Sequence, residues 1–378
     1  FVAHSVPRVA GDLAGAFILR LAVALRHHGV QVDVLAPAAA GVPASADIDG
    51  VPVRRFRYAP ASWETLAYSG TMAEQARGSL RGMVALGGLV AGGRRAIARA
   101  MVTDAYDVVH AHWWFPGGLS AALSARARPL VVTLHGSDVR LARSGVVGPA
   151  MYRFVARRAA AVTAVSSWLA NTATAFAPGV PVSVAPMPAD IALFGPGAGT
   201  RAPRMLFVGR LNAQKGIRDL VEALPHVHGV ALDVVGDGPD RAAVEQLAAA
   251  RGVSGRIRWH GALPQTAVAP LYREAALVAV PSREEGLGLV AVEALLSGTP
   301  VVAYRSGGLT DLITHEETGL LVEPGDVDAF GNALVALVSD PLRARRMGEQ
   351  GRSRMVARFS PAAAAEAYAS LYRRVGTG

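Results

Sequence analysis

Two carboxylates and two cations in the second half of the chain have the types and spacing to hold a phosphorylated, hydroxyl-rich ligand. The stretch Pro281-Ser-Arg-Glu-Glu-Gly-Leu-Gly-Leu-Val-Ala-Val-Glu-Ala-Leu-Leu-Ser-Gly-Thr-Pro300 reads as a strand end, a glycine-rich turn and a helix. Glu285 falls in the turn and Glu293 within the helix, just over two helical turns further on, so both can face one cleft at different depths. Gly286 and Gly288 let backbone amides approach an anion at the helix N-terminus. A carboxylate accepts paired hydrogen bonds and so suits sugar hydroxyls, although acids capping a helix start would give the same pattern. Upstream, Val208-Gly-Arg-Leu-Asn-Ala-Gln-Lys-Gly216 follows a predicted strand and enters a helix. Arg210 and Lys215 flank that loop, a cradle for a diphosphate: arginine clamps with two donors, lysine supplies a compact charge. A solvated basic loop is the plain alternative. The chain carries 37 Arg and a single Lys, and that Lys is Lys215, a position that kept its ammonium against the drift of the composition.

These residues need elements to position them. The 378 residues hold 51% hydrophobic and 18% charged side chains, enough apolar surface for two folded domains and too little charge for disorder. No cysteine is present, which removes disulfides, thiolate metal sites and a cysteine nucleophile. Strands are predicted at Val30–Leu35, Val51–Phe56, Asp107–His110, Leu130–Leu134, Ala161–Val165 and Val182–Ala185. The second half repeats the theme at Arg204–Val208, Ala231–Val235, Arg256–His260, Leu277–Val280, Pro300–Ala303 and Gly319–Val322. Most are apolar throughout, as strands buried on both faces of a parallel sheet are, and helical stretches separate them. The expected fold class is α/β: two Rossmann-like, doubly wound domains facing across a cleft. Domain boundaries are expected at 1–186 and 204–360, with a Pro/Gly-rich linker at 187–203 and a last helix at 361–378 packing back on the N-terminal domain.

With the motifs in that order, the chain resembles the retaining glycosyltransferases of family four, the group 1 glycosyl transferases, which have the GT-B fold. Gly209-Arg210 with Lys215-Gly216 and the Glu285-x7-Glu293 pair carry the likeness. Thr133-Leu-His-Gly-Ser-Asp138, Ser306-Gly-Gly-Leu309 and Thr318-Gly-Leu-Leu-Val-Glu-Pro-Gly325 extend it over nearly the whole chain. The resemblance implies transfer of a sugar from a nucleotide-sugar, UDP- or GDP-linked, with retention and with no metal or other cofactor. It implies that Arg210 and Lys215 bind the diphosphate, Glu293 the ribose, and Glu285 the hydroxyls of the transferred sugar. His135 would approach that sugar near the reacting centre, and the amides of Gly307 and Gly308 would sit by sugar or phosphate. A turn near Gly11 and Gly15 would close on the phosphates. Leu287 stands where the family commonly has Phe, and the first loop lacks its paired glycine.

Other constellations are weaker. His110, His112, Trp113 and Trp114 follow a strand without an acidic or cysteine partner, and read as core or acceptor-side lining rather than a metal site. Asp47 with Asp49, and Asp326 with Asp328, read as turn and helix caps. A dehydrogenase would need Gly-x-Gly-x-x-Gly after the first strand of a half, which neither half supplies; an epimerase or glycan phosphorylase on the same fold stays open. Residues 1–195 carry 18 Arg against 10 acids, net +8, and residues 196–378 carry 20 basic against 19 acidic, net +1. That split, with the apolar run Gly82–Gly93 beside Arg94, Arg95 and Arg99, suits an anionic or lipid-linked acceptor and peripheral contact with a membrane; arginine drift with an ordinary core helix is the plain alternative. No nucleic-acid signature accompanies it. The expected location is the cytoplasm, at the inner membrane face if the contact is made. No signal peptide is visible, and since the chain opens on Phe1 an upstream leader stays open.

Overall fold

A computed structural model describes residues 1–9, 12, 14–68, 72–124, 128–145, 147–197, 199 and 201–376. It divides into two compact units: Phe1–Pro188 joined by the last helix, Pro361–Gly376, and Ala189–Ser360. Unit 1 contains β1 (Val34–Pro37), β2 (Ser45–Ile48), β3 (Val51–Phe56), β4 (Val109–His112), β5 (Leu130–Leu134), β6 (Ala161–Ala164) and β7 (Val182–Val184). Val2 bridges Leu35 on one side and Ala111 on the other, so the first residues join β1 to β4. The order is β2-β3-β1-(Val2)-β4-β5-β6-β7, parallel except at β2.

Unit 2 contains β8 (Ala202–Val208), β9 (Ala231–Val235), β10 (Ile257–Gly261), β11 (Ala275–Val280), β12 (Val301–Tyr304) and β13 (Gly319–Val322). All pair in parallel in the order β10-β9-β8-β11-β12-β13. Chain order thus reverses between β8 and β11. Loops at the carboxyl ends of such a pair diverge and leave a crevice, which is where open α/β sheets bind ligands. Met205, Phe207, Leu232, Val234, Leu277, Ala279 and Val302 are buried on these strands. Each large apolar side chain contributes about 1.5–3 kcal/mol on burial, so the site loops are anchored to a stable sheet.

All twelve predicted strands exist: Val51–Phe56, Leu130–Leu134, Ala231–Val235 and Gly319–Val322 have the predicted bounds, and the other eight have shifted ends. Val30 is not strand: its N–H donates to Leu25 O at 3.1 Å and closes the helix Ala16–Arg26. The sequence reading missed β2, which pairs antiparallel with β3 across the two-residue turn Asp49-Gly50. Asp47 Oδ1 accepts the Gly50 N–H at 2.8 Å there, a turn cap as expected. Asp326 likewise caps the helix Val327–Ser339 by accepting the Ala329 N–H at 2.9 Å.

Candidate active site

In unit 2 the loops after β8 and β11, on the two sides of the reversal, carry the predicted cations and the first carboxylate. Asn212 Oδ1 accepts the Lys215 N–H at 3.1 Å and caps the short turn Ala213–Lys215. Arg283 N–H donates to Gln214 O at 2.9 Å, and Gln214 Nε2 donates to Glu284 O at 2.9 Å, joining the loops. Across that seam Lys215 Nζ donates to Glu285 Oε1, with Glu285 buried. An ion pair this sheltered gives back much of its attraction as desolvation, so its main effect is positional. The ammonium has three donors, and the bond to Glu285 uses one, leaving capacity for phosphate oxygens. Arg210 is exposed in the same loop.

Gly307, at φ 53°, lies so close to this turn that a Cβ would sit 2.0 Å from Glu285 O; no other residue fits. Gly308 N–H donates to Glu285 O at 2.9 Å. That amide shapes the turn carrying Glu285. Gly286 lies in the same turn, and Gly288 stands at the N-cap of the helix Leu289–Leu296. Glu293, on that helix, does not join Glu285. Its Oε1 accepts from Gln265 Nε2 at 3.0 Å and its Oε2 from Tyr272 Oη at 2.9 Å. Burial pushes its carboxyl up to about 7 against the pull of those two donors. The two carboxylates therefore have separate surroundings and can do separate work.

In unit 1, His135 follows β5 in a turn folded around a buried carboxylate. Asp138 Oδ1 accepts the N–H groups of His135, Gly136 and Val139 at 3.1, 2.9 and 3.0 Å, and Oδ2 accepts that of Trp114 at 3.3 Å. His135 Nε2 lies 3.2 Å from His112 Nδ1, and its ring is 4.6 Å from Trp113 and 5.1 Å from Phe17. Burial lowers His135 to about 3 and His4 to about 4, so both are neutral at pH 7 and act as hydrogen-bonding groups, not charges. His110 is a core residue: Nδ1 meets Tyr372 Oη at 2.6 Å and Nε2 meets Thr133 Oγ1 at 2.7 Å. Gly15, at φ 66°, precedes the helix Ala16–Arg26, and a Cβ there would sit 2.1 Å from Ser5 O. Gly11 lies outside the described residues. Among the described residues, no group of three or more His, Asp or Glu is placed to hold a metal ion.

Residues 193–354 match the family described as glycosyl transferases group 1, and residues 14–190 match a glycosyl transferase 4-like domain. The chain is 32% identical over 406 residues to D-inositol 3-phosphate glycosyltransferase 1 of Catenulispora acidiphila, covering 96% of this chain and 91% of the relative. The chain belongs to the group 1 glycosyltransferases. It is also 30% identical over 293 residues to glycogen synthase of Mycobacterium tuberculosis, covering 70% of this chain and 68% of that one. Sucrose-phosphate synthase from Thermosynechococcus elongatus superposes with a TM-score of 0.80 at 25% identity, over 100% of this chain and 99% of that one. An Anabaena HepE in complex with UDP gives 0.74 at 20% identity, over 99% of each chain. The fold of this group 1 glycosyltransferase is the expected GT-B.

Sequence reasoning missed several residues of this glycosyltransferase that shape the two sites. Gln265 and Tyr272 carry no motif; only the fold brings the helix Gln265–Glu274 against Glu293. Asp138 was legible as part of the Thr133–Asp138 motif, but its four backbone bonds were not. Gln214 and Asn212 sit inside the quoted loop, where an Asn three residues before Lys215 was the available capping signal.

Proposed function

We propose that this glycosyltransferase uses a nucleoside-diphosphate sugar, UDP- or GDP-linked, and transfers the sugar to an acceptor hydroxyl with retention of anomeric configuration and without a metal. The observation that carries the reading is the Lys215–Glu285 pair at the point of unit 2 where strand order reverses. Arg210 and Lys215 take the diphosphate, whose charge grows as it leaves, so their contacts strengthen towards the transition state. Glu293 holds the ribose and Glu285 the hydroxyls of the transferred sugar. His135, neutral, donates or accepts a hydrogen bond at that sugar. The bond from the anomeric carbon to the diphosphate oxygen breaks, the bond to the acceptor oxygen forms, and the leaving phosphate takes the acceptor's proton. Glu285 positions the sugar and forms no covalent bond with it. The complex of HepE with UDP supports a nucleotide at this fold's site.

The acceptor belongs to unit 1 and is anionic or presented at an anionic surface. The run Gly82–Gly93 lies in the helix Leu80–Thr103, where Gly82, Ala85, Leu89, Gly92 and Gly93 face the core. Leu80, Met83, Val84 and Val102 are exposed on the same helix with Arg81, Arg94, Arg95 and Arg99. Apolar side chains interleaved with arginines suit a bilayer interface, and no helix among the described residues is long and apolar enough to cross a membrane. The reading is tested by proton NMR of the product formed with an α-linked nucleotide-sugar: an α-linked product bears it out, and a β-linked product overturns retention.

A further inference from the structure

Unit 1 carries a half-open cavity of about 560 Å³, within the size range of small-molecule sites. Its lining includes the aromatic side chains of Tyr68, Trp113 and Phe115 and the apolar side chains of Leu66, Met72 and Leu86. Among the described residues of the lining, polar groups are few and partly spoken for. Tyr68 Oη donates to Pro37 O at 2.7 Å, and the Asp138 carboxylate is engaged by four backbone N–H groups. His4 Nδ1, in contrast, is buried and without a hydrogen-bond partner, the kind of orphan that a ligand group satisfies. The cavity also collects strain. Of the four non-glycine residues with positive φ among the described residues, Tyr68 (72°) and Trp113 (68°) both line it. Such conformations persist where the surroundings enforce them, and they gather at ligand sites. Trp113 ties the cavity to the proposed chemistry, its ring lying 4.2 Å from His4 and 4.6 Å from His135.

We infer that this cavity takes the non-sugar part of the acceptor, a hydrocarbon chain or aromatic ring. The reactive hydroxyl is at the end near His4 and His135. The inference rests on the proposed transfer reaction and names the acceptor class: an amphiphile with an apolar aglycone. A bare sugar would need a polar partner for each hydroxyl, and the described residues of this lining offer mainly Ser5, Ser137 and His4. In the step itself the acceptor oxygen bonds to the anomeric carbon, the bond from that carbon to the nucleoside diphosphate breaks, and the acceptor's proton leaves on the diphosphate.

The test is calorimetric titration of the full chain with n-octyl, phenyl and methyl β-glucoside, which share a sugar and differ only in aglycone. The octyl or phenyl compound, or both, should bind at least tenfold more tightly than the methyl one. A preference for octyl marks a lipid-like acceptor and a preference for phenyl an aromatic one. Leu86→Gln and Ala76→Phe, the second filling the cavity, should abolish the preference. UDP and GDP titrations of the same variants report folding and nucleotide binding in unit 2. Equal binding of all three glucosides, no binding by any, or a preference that survives both substitutions in folded protein would overturn the inference. Loss of nucleotide binding in wild type with the aglycone preference intact would instead strike the transfer reading and leave the cavity's assignment standing.

Discussion

At the scale of single residues, the account turns on Lys215. Lys215→Ala should lower kcat/KM by about 2–4 kcal/mol of transition-state stabilisation, the size expected for a donor aimed at developing charge. The melting temperature should fall as well, because the buried Glu285 carboxylate loses its partner, while the fold is retained. Steady-state kinetics beside a thermal melt checks both. The two glutamates should fail differently, since their surroundings are separate. Glu293→Ala should weaken bare nucleotide, and Glu285→Ala should leave nucleotide affinity nearly intact while impairing transfer. Glu293 adds a pH signature. Burial raises its carboxyl to about 7, so the form that best accepts from ribose hydroxyls is populated only as pH rises through that value. Nucleotide affinity measured between pH 6 and 8 should climb, and Glu293→Gln should flatten the climb. Lys215 and Glu285 were legible in the sequence because each sits in a motif with a glycine-marked turn. Tyr272 and Gln265 were not, because a partner supplied by a distant helix leaves no local pattern.

Among elements, the turn after β5 is the one whose chemistry depends most on a single buried group. Asp138→Ala would strip the acceptor from four backbone N–H groups, and each buried donor left without a partner costs about 1–3 kcal/mol. The expected result is a markedly lower melting temperature and loss of transfer, with UDP or GDP affinity unchanged because the nucleotide site we propose is built from the other unit. Asp138→Asn should recover part of the stability through its remaining carbonyl oxygen. Most strands of unit 2 were read from their continuous apolar runs, which a sheet buried on both faces requires, while β10 alternates between buried or half-buried and exposed positions at the sheet edge. β2 escaped because Ser45–Ile48 is short and half polar, although Asp49-Gly50 is the two-residue turn that announces a hairpin. In the helix Leu80–Thr103, Gly82, Gly92 and Gly93 pack inward, Gly87 is exposed, and the outer face carries arginines and apolar side chains.

For the whole molecule, the sequence carried the α/β class and the two-part organisation, since alternating strand and helix patterns survive without knowledge of contacts. Strand order was not legible, and it is strand order that brings the β8 and β11 loops together. The charge split between the halves belongs to this scale as well. Binding to vesicles should rise with anionic lipid content and collapse at high salt, at about 1 kcal/mol per basic residue near the surface. Co-sedimentation at two salt concentrations checks it, and binding indifferent to lipid charge would tie the arginines of the first half to a soluble acidic acceptor. The most direct test of the central claim, a nucleoside diphosphate held by Lys215 without a metal, is calorimetric titration of UDP and GDP in excess EDTA. One of the two should bind in wild type and bind at least tenfold more weakly in Lys215→Ala. Binding that needs a divalent cation, or is unmoved by the substitution, would contradict the account.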